Sequence, residues 1–265
     1  MKLCLLQTDI IWNAPGDNIA AADGQLVAHP GADLYVLPEM WCTGFQTTPD
    51  AATATAGRRA LDWMATTSAA LGTAIAGSVP LAAADGTFTN TLAVAQHGHT
   101  VTYDKRHLFT YGGENRHYSP GQRRVVVEVC GWRILLQVCY DLRFPVFARS
   151  QGGDYDILLY VANWPASRRT VWDVLLRARA IENQCYAVGV NRVGTDPACV
   201  YDGGTALISP RGQLLATATD GAAGAICHEL TADDYAALRR FRQKFPVLAD
   251  ADRFTLDITS TTPQP

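Results

Sequence analysis

With 265 residues, 48% of them hydrophobic, the chain is long enough to bury a large core as one domain and too apolar to stay disordered. Its 22 Lys and Arg against 25 Asp and Glu leave a formal charge of −3, too small to point to a nucleic-acid or other polyanionic partner. No apolar run is long enough to span a bilayer, and Gln7 and Asp9 cut short the apolar start Met1–Leu6, which reads as a first strand rather than a leader.

In chain order, Lys2 to Ile10 reads as a strand, and Asp17 or Asn18 caps a short helix through Ala28. Asp33 to Leu37 is the next strand, ending at Pro38-Glu39, and a helix runs from about Arg58 to Leu71 with Leu61, Met64 and Ala65 at helical spacing. Thr73–Leu81 and Asn90–Gln96 are strands joined by the turn-rich Ala84-Asp85-Gly86. A long polar and aromatic loop covers Tyr103 to Arg123. Arg124–Cys130 and Trp132–Cys139 form a hairpin about Gly131, and a short helix starts at Pro145.

The run Asp156–Ala162 is apolar on both faces and must be covered twice; Asn163-Trp164-Pro165 closes it. Ser167 then caps a helix with Val171, Val174, Leu175, Ala178 and Ile181 along one face. Strands follow at Cys185–Val193, Gly204–Ile208, Leu214–Thr217 and Ala225–Leu230, then an amphipathic helix from Ala232 to Lys244. The tail after about residue 254 is polar, and is expected to be disordered or extended, or to lie against a partner subunit. No repeat and no internal linker breaks the pattern. Strands alternating with helices beside hairpin-like pairs give an α/β fold of mixed sheets covered by helices.

Seven cysteines without paired spacing argue against a disulfide framework and for a reducing cytoplasm. Cys4, Cys130, Cys185 and Cys227 sit in strand-like runs and read as small buried hydrophobes, while Cys42 and Cys199 fall in loops. Cys139 differs. It ends an apolar strand just before a turn and a helix start, a position that faces a crevice and favours thiolate. Glu39 likewise follows an apolar strand, and Lys105 sits in Tyr103-Asp104-Lys105-Arg106-His107. Together these supply the parts of thiol-based acyl transfer: a nucleophile, a carboxylate base and a fixed cation.

The segments Leu37-Pro-Glu-Met40, Tyr103-Asp-Lys-Arg-His-Leu-Phe109 and Val138-Cys-Tyr-Asp-Leu-Arg-Phe-Pro145 resemble the three signature motifs of the nitrilase, or carbon–nitrogen hydrolase, superfamily. Tyr160–Pro165 and Arg177–Asn183 extend the resemblance, which covers about residues 2–250 and is nearest to the bacterial ω-amidase branch. It implies one hydrolase domain over 1–265, a four-layer αββα sandwich, and a homodimer formed through helices. It also implies a Glu39–Lys105–Cys139 triad with Glu114 as a second glutamate, a thioester intermediate, a small amide of a 2-oxo acid as substrate, and no cofactor or metal.

The chemistry gives Glu39 the thiol proton to shuttle and assigns Lys105, with the backbone N–H of Tyr140, to the oxyanion. An arginine fork suits the substrate carboxylate, with Arg143, Arg116 and Arg168 as candidates; an ion pair of Arg143 with Asp141 or Glu182 is the alternative. Asn163, Trp164, Tyr140, Phe45 and Tyr111 are candidates to line the pocket. Competing readings are a cysteine–histidine mechanism through His107 or His117, and a silent member that binds a metabolite or partner protein. Aliphatic-amide, N-carbamoyl and nitrile hydrolysis are further alternatives. His97 and His99 read as a surface pair rather than zinc ligands.

Overall fold

The computed structural model describes residues 1–83 and 85–252 and the backbone of 259–261. Strand β1 (Lys2–Gln7) leads through helix α1 (Pro15–Ala28) to β2 (Leu34–Val36), and α2 (Ala51–Leu71) leads to β3 (Ala74–Ala82), β4 (Phe88–Gln96) and β5 (His99–Asp104). A hairpin, β6 (Arg123–Val129) and β7 (Trp132–Val138), is followed by a 3₁₀ turn over Cys139–Arg143, α3 (Pro145–Ala148), β8 (Ile157–Ala162) and α4 (Arg169–Glu182). Then come β9 (Tyr186–Asn191), β10 (Val193–Thr195), β11 (Val200–Asp202), β12 (Ala206–Ile208), β13 (Leu214–Thr217), β14 (Gly224–Glu229), α5 (Ala232–Lys244) and β15 (Thr259–Thr261).

Two mixed sheets result. One has the order β14-β1-β2-β3-β4-β5, the other β13-β12-β9-β8-β7-β6-β15, with β10 and β11 forming a separate hairpin. The period-2 alternation of each strand decides the layering. Leu3 and Leu5 of β1 face Ile157, Leu159 and Val161 of β8 in a core between the sheets. Cys4 and Leu6 face outward against Ile19, Ala22 and Leu26 of α1, and Leu158 and Tyr160 face Trp172 and Leu176 of α4. This is the four-layer αββα sandwich.

Several boundaries differ from the sequence reading. Helix α1 begins at Pro15, so Asp17 and Asn18 lie inside it; the Asn18 amide instead ties Ile11 and Cys42 together through their carbonyls. Helix α2 starts at Ala51 rather than near Arg58, because Asp50 and Thr53 form a reciprocal capping box. β5 and the β10–β11 hairpin were unforeseen: both are short or polar and draw their order from neighbouring strands.

Helix α4 is capped by no side chain, Ser167 falling in a preceding 3₁₀ turn, and it buries Trp172, Leu176, Arg179 and Ala180. Of the stripe read from the sequence, Val171 and Leu175 pack at the edge of this core, whereas Val174 and Ile181 face outward. Trp172 decides the orientation: its Nε1 donates to Gly204 O at 2.8 Å, and its ring with Leu176 fills the space beside Gly189, where a Cβ would meet them at 2.5–2.6 Å. Cys130 and Cys227 are exposed rather than buried, the first on the β6–β7 turn and the second on an edge strand. Apart from the backbone pairing of β15 with β6, the expectation for the tail lies outside the described residues, as does Ala84.

Gly57 sits where α2 crosses β3, and a Cβ there would stand 1.7 Å from Pro80 O. Gly57→Ala is therefore expected to lose about 3 kcal/mol in urea unfolding, and Asp50→Ala about 1 kcal/mol through the lost cap. A neutral Gly57→Ala would mean that the helix slides freely over the sheet.

Candidate active site

The loops that carry chemistry leave the carboxyl ends of β2, β5, β7 and β8. After β2 the Leu37 N–H bonds Ala76 O at 2.7 Å and the Met40 N–H bonds Ser78 Oγ at 2.9 Å, fixing Glu39 between them. Lys105 follows β5, its backbone N–H held by Asn90 O at 2.9 Å. Glu114 comes from a short 3₁₀ turn in the loop that follows. All three side chains are 0% exposed.

Lys105 Nζ donates to Glu39 Oε1 at 2.9 Å and to Glu114 Oε2 at 2.9 Å and Oε1 at 3.1 Å. Asn90 bridges the same carboxylates, its Nδ2 donating to Glu39 Oε1 at 2.8 Å and Glu114 Oε1 at 3.1 Å. Glu39 Oε2 accepts the Asn163 N–H at 2.8 Å, and Glu114 Oε2 accepts the Phe109 N–H at 2.6 Å. Asn163 Nδ2 also donates to Glu39 O at 2.6 Å, so the strand-end loop after β8 is clamped to the one after β2. Two sheets are thus joined through one carboxylate.

Cys139 opens the 3₁₀ turn with a left-handed φ of 45°, a strained geometry for a residue with a side chain and one that clusters at functional sites. Asp141 holds this turn: its carboxylate accepts Val138 N–H at 2.9 Å, His107 N–H at 2.9 Å and Tyr103 O–H at 2.7 Å. The Tyr140 N–H lies in the first turn, where helix geometry supplies no acceptor. The sulfur sits 4.0 Å from Asn163 O.

Burial, the Glu39 charge and a hydrogen bond to Glu39 push the Cys139 thiol well above the ordinary range, and Lys105 only partly offsets them. These influences favour the thiol form of Cys139 over the preformed thiolate that the strand-end position suggested. Desolvation opposes the Lys105 charge, yet Glu114 and Glu39 outweigh it and raise the ammonium above its ordinary 10.5. Burial also raises Glu114 above 4.5 despite its contact with Lys105.

Above Cys139 opens a small pocket lined by Phe45, Phe109, Tyr140, Asn163, Trp164 and Pro165, together with Arg143, Arg168, Cys199 and Tyr201. Arg143 lies 5.3 Å over the Trp164 ring and Arg168 5.4 Å over Phe109. Neither makes an ion pair among the described residues. Asp141 is occupied as above and Glu182 pairs with Arg179 at 2.9 Å, so the alternative partners of Arg143 are engaged elsewhere.

Tyr111 is 89% exposed and Arg116 is also exposed; neither lines the pocket, because their loop turns outward after Phe109. His107 Nδ1 meets Asp141 Oδ1 at 2.8 Å with its ring stacked on Phe144, and His117 is exposed, so neither histidine reaches the sulfur. His97 and His99 lie exposed at the β4–β5 turn. Among the described residues, no group of three or more metal-ligating side chains converges.

Sequence reasoning missed Asn90, Phe109, Cys199 and Tyr201 and saw Asp141 only as a partner for Arg143. An Asn opening an apolar strand was a usable signal for the first. Nothing in the local pattern marked the β10–β11 hairpin.

A strained thiol, a buried carboxylate and a trapped ammonium beneath an aromatic pocket are the parts of an amide-hydrolysing enzyme. The chain belongs to the carbon–nitrogen hydrolase family, whose model matches residues 16–240. The Omega-amidase YafV of Escherichia coli strain K12 is 46% identical over 257 residues, covering 97% of this chain and 98% of that protein. The 2-oxoglutaramate amidase of Bacillus subtilis strain 168 is 33% identical over 80% of this chain and 83% of its own. In structure the chain is similar to XC1258 of Xanthomonas campestris, a CN-hydrolase superfamily protein described with an arsenic adduct in its active site. The TM-score is 0.88 at 38% identity, over 97% of this chain and 98% of that one. It is also similar to an amidase from Nesterenkonia sp. AN1 described with acrylamide added at the active-site cysteine. There the TM-score is 0.81 at 25% identity, over 93% and 98% of the two chains.

Removing the ammonium leaves two buried carboxylates facing each other. Lys105→Met is expected to cost about 3–5 kcal/mol near neutral pH, and the loss to shrink between about pH 8 and pH 5 as a carboxyl takes up a proton. In the parent protein stability likewise falls as pH rises, but only at the alkaline end. Because Lys105 is held protonated, its contribution is complete below 10.5 and fades only as pH climbs past that value toward the folded-state pKa. Denaturant midpoints measured across pH check both.

Proposed function

We propose that the chain is an ω-amidase that hydrolyses the terminal amide of short 2-oxo acid amides of the 2-oxoglutaramate type and releases ammonia. The observation that carries this reading is the placement of the Cys139 thiol, with the Glu39–Lys105–Glu114 cluster behind it and, around the pocket in front, two guanidinium groups that have no carboxylate partner among the described residues. The names carried by the Escherichia coli and Bacillus subtilis relatives support the same substrate class. An ω-amide of a keto acid presents a neutral amide at one end and a carboxylate at the other. Arg168 or Arg143 binds the carboxylate while the amide carbon reaches Cys139.

In this mechanism Glu39 takes the thiol proton as the sulfur attacks the amide carbon, so the nucleophile becomes anionic only when substrate is present. The oxyanion is met by the Tyr140 N–H and the Lys105 ammonium. A single such donor is worth roughly 3–4 kcal/mol in related chemistry. Glu39 then passes its proton to the departing nitrogen, ammonia leaves, and a thioester remains on Cys139. The same carboxylate deprotonates a water that attacks the thioester, and the returned proton restores the thiol. Glu114 keeps the ammonium aimed at this point, and Asn90 keeps both carboxylates in register.

The hydrolase domain extends over the whole chain in this reading, and its setting is the cytoplasm, in keeping with seven free cysteines. Two copies associate through α4, whose outward stripe leaves Val174 58% and Ile181 50% exposed. No helix among the described residues is long and apolar enough to cross a membrane.

Ammonia release from 2-oxoglutaramate, succinamate, a simple nitrile and an N-carbamoyl amino acid, compared side by side, tests the substrate class. Turnover confined to the carboxylate-bearing ω-amides is expected; equal rates on amides without the carboxylate would remove the arginine anchor. Cys139→Ala and Glu39→Gln should each lower kcat by at least about 10³-fold, whereas Arg168→Ala or Arg143→Ala should raise KM with less effect on kcat. Sedimentation velocity should find a dimer that Val174→Glu dissociates.

A further inference from the structure

We propose that Cys4 and Cys227 form a dithiol modification site on the outer edge of the first sheet, closed to a cross-strand disulfide by exchange with a small disulfide such as oxidised glutathione. The two residues are direct partners in the β1–β14 register, and their sulfurs lie 3.5 Å apart.

The register explains the closeness. Met1 N donates to Leu230 O at 2.7 Å and Leu230 N to Met1 O at 2.9 Å, a reciprocal hydrogen-bonded pair. Such pairs alternate along an antiparallel ladder, so the Cys4–Cys227 pair, three steps further on, is a non-hydrogen-bonded one. Side chains approach most closely at these positions, where Cα atoms stand about 4.5 Å apart, within the span that a disulfide bridges.

Access divides the labour. Cys227 is exposed on edge strand β14, while Cys4 is buried beneath α1. The Cys227 sulfur gives up its proton and attacks one sulfur of the small disulfide; that S–S bond breaks and the first small thiol leaves with the proton. The Cys4 sulfur then attacks Cys227 Sγ, expelling the second small thiol. In sum, two protein thiols are oxidised and one small disulfide is reduced to two thiols. Burial, and the neighbouring Cys227, push the Cys4 thiol up, so the second exchange is the slower one. Cys130 provides an internal contrast: it too is exposed, but among the described residues no second sulfur lies within hydrogen-bonding distance of it. It can only stop at the mixed disulfide.

Neither Cys4 nor Cys227 lines the pocket, so closure fastens β14 to β1 without occupying the Cys139 site. The full-length protein treated with excess oxidised glutathione, quenched with acid and mapped without reduction should yield a peptide cross-linked between 4 and 227, with glutathione retained on Cys130. Tm should rise by about 5 °C and return on adding dithiothreitol. Cys227→Ser should lose both the cross-link and the shift, and Cys130→Ser should keep both. Glutathione retained on Cys227 with Cys4 free would overturn the proposal, as would an unmodified pair while Cys130 reacts.

Discussion

Three buried ionisable side chains meet at the centre of this protein: the Lys105 ammonium between the Glu39 and Glu114 carboxylates, at 2.9 Å from each. Burying one cation with two anions costs more desolvation than any single contact returns, unless every lone pair and proton has a partner. Here Asn90, the Asn163 N–H and the Phe109 N–H supply those partners. The cluster therefore imposes a demand on the fold. Strands from both sheets must end at the same place, and their loops must point backbone donors inward.

That demand explains how the surrounding loops are tethered. Glu39 is held on both sides, by backbone bonds to β3 and by Asn163 from the opposite sheet. The nucleophile turn is anchored separately through Asp141, which binds Val138, His107 and Tyr103 at once. Such anchoring holds Cys139 in a left-handed conformation that its own side chain disfavours. Residues outside the pocket lining thus set the position of the sulfur within it.

The same cluster accounts for the state of the sulfur. With two carboxylates and one ammonium around it, the site already carries a net negative charge, and a resting thiolate would add another. Burial and the Glu39 charge therefore favour the protonated sulfur, and in the proposed mechanism the Tyr140 N–H and Lys105 meet negative charge on a carbonyl oxygen rather than on sulfur. Outside the cluster the electrostatics reverse. Arg143 and Arg168 rest over aromatic rings at the pocket wall, so one site offers a negative floor and a positive rim.

Much of this was legible in the chain itself. Alternating apolar positions marked most of the strands, and α5 was located to the residue, because period 2, period 3.6 and capping chemistry are local properties. Glu39 and Cys139 were recognisable because each closes an apolar strand within a family motif, and Lys105 through its motif alone, the strand before it being too polar to read. Asn90, Asp141 and Tyr201 were not, since a buried polar contact is set by whatever lies across the fold. The face of α4 was legible only in part for the same reason: the stripe holds core-edge Val171 and Leu175 beside exposed Val174 and Ile181, and Trp172 against Gly189 settled which side meets the sheet. Sequence spacing specifies which groups stand at strand ends, but charge balance and shape, which depend on every packed neighbour, are fixed only when the two sheets close on each other.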